Sequence, residues 1–332
     1  MKKFIFFWLF SLSMITCFAQ DPAQMHETAK AFMRQGDYAN AVLVLTRARQ
    51  ADPTDIPIAK DLALCYYFQK EFQQSLSILK PLVEKNVDDQ VYQLAGNAHK
   101  ALEQYKDCEK LYRKGIKKFP GSGALYNELG ELLWGRKDYT AIKIWERGIQ
   151  MDPSYSRNYY NAARYYFLTT DKVWSLLYGE IFVNMEPQSL QSPEMKDMLL
   201  AGYKKLFSEN SIASLAANEK NQFAKAFLES MSRQNELAAD GIGLESLMMI
   251  RTRFILHWSH EFKSKFPFRL FELQQQLLQE GMAEAYHRWL FGSSLNLVNY
   301  QQWIQAHPQE YQVFMNFQKT RLFKIPSGQY YH

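Results

Sequence analysis

Cysteine is scarce: three residues in 332, at positions 17, 65 and 108. So few thiols exclude a disulfide framework or a cysteine-built zinc site, and Cys65 and Cys108 are expected as buried free thiols. Long apolar runs are missing too. Beyond the first nineteen residues no window reaches the roughly 18 uncharged apolar residues of a membrane span. Neither sign of charge dominates, with 39 Lys and Arg against 34 Asp and Glu, a surplus too weak to imply nucleic acid. Catalytic signatures are absent as well. Gly121-Ser122-Gly123 lacks the lysine of a phosphate loop and reads as a connector. There is no Gly-x-Ser-x-Gly elbow, and neither Cys65 nor Cys108 has a plausible base beside it. Glu128 and Glu131 read as helix surface groups, not a paired acid and base. The expectation is a chain with no catalytic residues, no resident metal and no cofactor.

What is present begins with an amino-terminal leader. Lys2 and Lys3 precede an apolar stretch, Phe4 to Ile15, and Cys17-Phe18-Ala19 offers small residues at a peptidase site. Residues 1–19 are therefore expected to be an export signal cleaved before Gln20, lowering the formal net charge of +5 by two. Lipidation at Cys17 is the alternative, although Met14-Ile15-Thr16 lacks the small residue that usually precedes a lipidated cysteine.

A period of about 34 residues then governs the first half of the chain. Aromatics close short polar turns at Tyr38, Phe72, Tyr105 and Tyr139, and prolines follow at Pro53, Pro120, Pro153 and Pro187. Small residues recur in phase: Ala29, Ala41 and Ala48; Ala63 and Ser75; Gly96, Cys108 and Gly115; Gly130, Ala141 and Gly148; Ala163 and Ser175. Such residues let two helices approach within about 8–10 Å. The period predicts stacked helical hairpins near 22–55, 56–88, 89–122, 123–155 and 156–189.

At these positions the chain resembles the tetratricopeptide repeat family, with the small residues, turn aromatic and closing proline in family order. Departures are local: Val87 replaces a proline, the fourth unit is one residue short before Ala141, and Lys172 stands at the fifth turn aromatic. The resemblance implies an all-α solenoid over 22–189 whose first helices line a concave, partner-binding side. Carried onto this chain, that side holds His26, Lys30 and Arg34, then Lys60 and Tyr67, then Gln93, Asn97 and Lys100. It continues with Asn127, Glu131 and Trp134, and ends with Arg157, Tyr160, Arg164 and Phe167. Cations with amides suit the carboxylate or backbone of an extended peptide, and the rings supply apolar contact area. The lysine–asparagine–arginine order of the family's carboxylate clamp is not reproduced.

From about residue 190 the period is lost, while apolar spacing of three and four persists. Helices are expected at Pro193–Phe207, Glu219–Arg233, Leu244–Phe266, Pro267–Gly281, Met282–Leu290, Leu297–His307 and Pro308–Leu322. Breaks are expected at Asp240-Gly241, Pro267 and Gly292-Ser293-Ser294. Residues 190–332 thus read as a second helical domain with an extended tail from Phe323, where Tyr330-Tyr331 are placed to dock on the body. His257 and His260 lie three apart on one helix face, with His287 as a candidate third metal ligand, but the order matches no zinc-protease motif. Lys106, Lys110, Arg113, Lys114, Lys117 and Lys118 cluster in the third unit and read first as a solvated face, or else as a peripheral contact with anionic lipid.

The functional expectation is a non-enzymatic scaffold or adaptor of the bacterial cell envelope, periplasmic or outer-membrane associated, binding a protein or peptide partner of an envelope assembly. Two competing readings stand beside it. One is a lipid-anchored outer-membrane assembly or secretion factor that depends on Cys17, and the other a metal-dependent hydrolase in the C-terminal domain.

Overall fold

In the computed structural model, residues 21–208 and 212–332 are described; the expected export signal, with Cys17, lies outside the described residues. Helix caps recur at one-repeat spacing and set the architecture. The side chains of Asp21, Asp55, Asp88 and Ser122 accept the backbone N–H of Ala23, Ile58, Val91 and Leu125. Each satisfies one of the donors that the start of a helix leaves unpaired. They open α1 (Pro22–Arg34), α3 (Ile56–Phe68), α5 (Asp89–Ala101) and α7 (Gly123–Gly135).

These first helices end in the same way. Gly36, Lys70, Glu103 and Lys137 all adopt left-handed backbone, with φ of 76°, 64°, 59° and 61°. The N–H of the next residue reaches back to the carbonyl of Phe32, Tyr66, His99 or Leu133. This is the Schellman closure of a helix, and it turns the chain into α2 (Tyr38–Ala51), α4 (Phe72–Glu84), α6 (Tyr105–Lys118) and α8 (Ala141–Met151). Where Val87 stands in place of a proline, Asn86 at φ 51° closes α4 instead, with the Val87 N–H on the Leu82 carbonyl.

The fifth pair, α9 (Ser156–Phe167) and α10 (Lys172–Met185), turns differently. The buried Lys172 sends its ammonium to the carbonyls of Phe167 and Thr169. A cation thus satisfies the helix end that a left-handed residue satisfies elsewhere.

The small residues are contact points. Ala29, Ala41, Ala48, Ala63, Ser75, Cys108, Ala141 and Ala163 have no exposed surface. A methyl added at Gly96 would collide with the Tyr112 ring, and one at Gly130 with the Trp145 indole. Cys65 and Cys108 are free and buried; burial, with Asp61 nearby, pushes the Cys65 thiol up to about 12.

The chain divides into two compact units, one of the described residues up to Val87 with Asn97–Gln104, the other of Asp88–Gly96 with Tyr105–His332. The second unit continues through α11 (Ser192–Ser208), α12 (Ile212–Asn218), α13 (Gln222–Ser232), α14 (Asn235–Ala238), α15 (Leu244–Glu261), α16 (Arg269–Gln279) and α17 (Ala283–His287). A π-helical turn, Arg288–Gly292, leads into α18 (Ser293–Leu295), α19 (Leu297–Ala306) and α20 (Pro308–Thr320). Among the described residues there is no strand, and no helix is long and apolar enough to cross a membrane. Two expectations need correction. Leu244–Phe266 stops at Glu261, because the N–H groups of Phe262 and Lys263 both return to the Trp258 carbonyl. Gly292-Ser293-Ser294 is helical and not a break: the Tyr300 ring packs so close to Gly292 that no Cβ would fit.

An aromatic core joins α13, α15 and α16. The Trp258 ring centroid lies 5.2 Å from Phe223 and 4.7 Å from Phe271. The tail closes over it, with Tyr331 stacked on Phe223 at 4.5 Å and its hydroxyl donating to the Pro267 carbonyl at 2.6 Å. His332 reaches the repeat helices, bonding Glu146 of α8 at 3.0 Å and Tyr166 of α9 at 2.8 Å.

Candidate functional site

The polar groups of successive first helices satisfy one another at one-repeat spacing. In the first unit, His26 Nε2 of α1 lies 2.7 Å from Asp61 Oδ2 of α3. In the second, Gln93 of α5 donates to Glu128 of α7 at 3.2 Å, and Asn161 of α9 donates to Asn127 of α7 at 2.9 Å. The Tyr160 hydroxyl then donates to Glu194 at 3.0 Å. Glu194 lies on α11, so the ladder runs one helix past the last repeat pair. A rung of this kind avoids leaving a buried amide or carboxylate without a partner.

These rungs form a floor from which a few charges project. On α7, Asn127 and Glu128 are buried while Glu131 is exposed. On α9, Asn161 and Tyr160 are buried while Arg157 and Arg164 are exposed. Asn127 and Asn161 both donate to Glu131 at 3.3 Å. The amides are therefore already engaged, and the Glu131 carboxylate is the acceptor left facing outward. Burial, with Glu128 and then Glu131 nearby, pushes the Tyr155 hydroxyl up to about 12 despite Arg157. Arg164 lies 5.3 Å over the Tyr160 ring and 3.8 Å from Glu194. Phe167 is half-buried beneath the Lys205 ammonium at 4.2 Å. Trp134 sits edge-on to Tyr139 and Tyr165, 5.8 Å from each.

In the first unit, Lys30 pairs with Glu27 at 2.9 Å and Arg34 is exposed. Lys60, Asn97 and Lys100 are half-buried, and Tyr67 meets Phe72 edge-on at 5.5 Å. Reading Glu128 as an ordinary surface group is wrong, because it is buried against Gln93. Asn161 and Glu194 escaped the sequence reading, since each partner lies one repeat away and no local pattern marks it. A 34-residue offset between polar residues on first helices is the signal that finds them.

The three histidines do not converge. His287 is buried: its Nε2 accepts from Arg251 Nε at 3.0 Å while its Nδ1 donates to the Ala283 carbonyl at 2.6 Å. Burial, then the Arg251 charge, pushes it down to about 3. His257 bonds Ser230 at 3.0 Å, and His260 projects into solvent beside Glu261. Among the described residues no group of three or more His, Cys, Asp or Glu side chains is placed to hold a metal ion.

A family model described as tetratricopeptide repeat matches residues 32–98. No curated protein is significantly similar to the chain in sequence. Among solved structures, a tetratricopeptide repeat protein from Parabacteroides merdae is similar at 12% identity, covering 78% of this chain and 98% of its own, with a TM-score of 0.43. A thermophilic repeat protein of Thermus thermophilus is similar at 14% identity, covering 56% and 98%, also with a TM-score of 0.43. The protein MamA is similar at 18% identity, covering 45% and 89%, with a TM-score of 0.39. Residues 32–98 thus carry tetratricopeptide repeats, and helical pairs recur through residue 185.

Proposed function

We propose that this protein is a non-enzymatic scaffold or adaptor of the bacterial cell envelope, holding a protein partner on the exposed side chains of its first helices. Tetratricopeptide repeats mediate protein–protein interaction, and stacked repeats present extended binding surfaces. The observation that carries the reading is the internally bonded floor at Asn127, Asn161 and Tyr160. A floor whose polar groups are already satisfied needs no reordering when a partner arrives, which lowers the entropic cost of binding. Its projecting groups, Glu131, Arg157 and Arg164, carry both signs of charge, which suits a polypeptide with mixed charge. The amides are committed internally, so capture of a lone carboxylate is the weaker form of this proposal.

The envelope setting rests on the sequence of residues 1–19. Mass spectrometry of the mature amino terminus tests it. A chain beginning at Gln20 supports export, acylated Cys17 would turn the reading to the lipid-anchored factor, and a retained Met1 would refute both. For the binding face, Arg34→Ala with Arg157→Ala removes two exposed charges while leaving the floor intact. Unchanged capture of the partner by this folded variant would move the interface elsewhere.

A further inference from the structure

One helix carries nearly the whole charge surplus of the chain. In α6, Lys106, Lys110, Arg113, Lys114, Lys117 and Lys118 face Asp107 and Glu109, a surplus of four in a chain whose formal total is +5. All six cations are exposed. At about 100° per residue, all but Lys118 fall within an arc of about 100°, diametrically opposite the buried Cys108, Tyr112 and Gly115, and both acids fall outside that arc. Glu109 is moreover occupied by Arg113 and Arg136, each at 2.9 Å. Among the described residues no ion pair engages Lys106, Lys110, Lys117 or Lys118.

The structure points to a bilayer surface rich in anionic lipid as the partner of this stripe. Three features favour that partner. The stripe runs along the exposed face of a single helix for roughly 17 Å. Lysine outnumbers arginine, and lysine acts as a point charge without the planar fork that reads phosphates or carboxylates bidentately. Two exposed amphipathic rings belong to the start of α6 and to the turn after α7. Tyr105 opens α6 and is 43% exposed, and Tyr139 closes the turn that the Arg136–Glu109 pair holds against α6 and is 61% exposed. Tyrosine favours the headgroup layer of a membrane. The contact is peripheral and separate from the first-helix faces, so the protein would hold a polypeptide partner close to a membrane.

Vesicle sedimentation of the full chain tests this, comparing phosphatidylcholine alone with a mixture containing about 30% phosphatidylglycerol, at about 50 and about 300 mM NaCl. Zwitterionic vesicles absorb any apolar binding by the leader, so the reading is the difference between the two compositions. The variant is Lys110→Gln, Lys114→Gln and Lys117→Gln together. Its control, Lys204→Gln, Lys220→Gln and Lys319→Gln, removes the same charge from other exposed sites. Each lysine near an anionic surface contributes roughly fivefold. The α6 variant should therefore lose about 100-fold of the anionic preference at low salt, with the control unchanged and the wild-type preference falling at high salt. Equal binding to both vesicle types, or equal loss in both variants, would overturn the proposal. So would retention on heparin without vesicle binding, which would assign the stripe to a soluble polyanion.

Discussion

The Arg251 guanidinium grips the Glu180 carboxylate through two hydrogen bonds, 2.8 and 2.5 Å long, with the side chains 2% and 3% exposed. Glu180 belongs to α10 of the last repeat pair and Arg251 to α15, so the pair fastens the repeats to the helices that follow. Gln274 and Tyr286 also donate to Glu180, at 2.7 and 2.6 Å. Burial alone would raise the carboxyl's pKa, but Arg251 and these donors hold it below the ordinary value. Glu180→Ala should destabilise the protein by about 3–5 kcal/mol, because it leaves Arg251 charged and unpaired. Replacing both residues with methionine should recover most of that loss, as urea titration of the two variants would show.

Asp171 makes stability depend on pH. It caps α10 through the Val173 N–H at 3.1 Å. Burial, then the Glu219 carboxylate, raises its pKa to about 6. A raised acid favours the folded state below its unfolded pKa of about 4, and that contribution is lost as pH climbs through about 6. Asp171→Asn keeps the cap and removes the titration. It should match wild type near pH 4 and exceed it by ~1–2 kcal/mol at pH 8, measured by denaturant titration at both values.

The repeat turns give substitutions of opposite sign. Gly36→Ala places a side chain at φ 76° and should cost about 1 kcal/mol. Lys70→Gly removes one at φ 64°. Relief of the left-handed strain, partly offset by the freer unfolded chain, should leave a gain of up to ~1 kcal/mol. Thermal melts of the two variants should move in opposite directions.

Helix contact leaves no room at Gly130, where an added methyl meets the Trp145 indole. Gly130→Ala should destabilise by about 1–3 kcal/mol through overpacking. Adding Trp145→Phe to that background, which shortens the ring, should restore part of the loss in the same denaturation assay.

Much of the repeat fold was legible because its causes are local. Tyr38, Phe72, Tyr105 and Tyr139 close the turns in phase, and Ala29 or Gly130 mark where helices touch. The Glu180–Arg251 pair was not legible, since 71 residues separate partners with no shared periodicity. The candidate site was half legible. Family position identified Asn127, Tyr160 and Arg164, but not that Asn127 and Tyr160 are committed to Asn161 and Glu194. Burial decides that, and composition does not reveal it. Gly292 misled because glycine marks close packing as well as a turn, and here Tyr300 needs the space.

Photo-crosslinking in cells tests the central claim most directly. A photoreactive residue is placed at Glu131, Arg157 or Arg34 on the first helices, and at Arg47 or Lys143 on second helices. The account predicts a discrete adduct with a partner polypeptide from the first-helix positions and none from the second-helix ones. Adducts confined to positions 47 and 143 would contradict it.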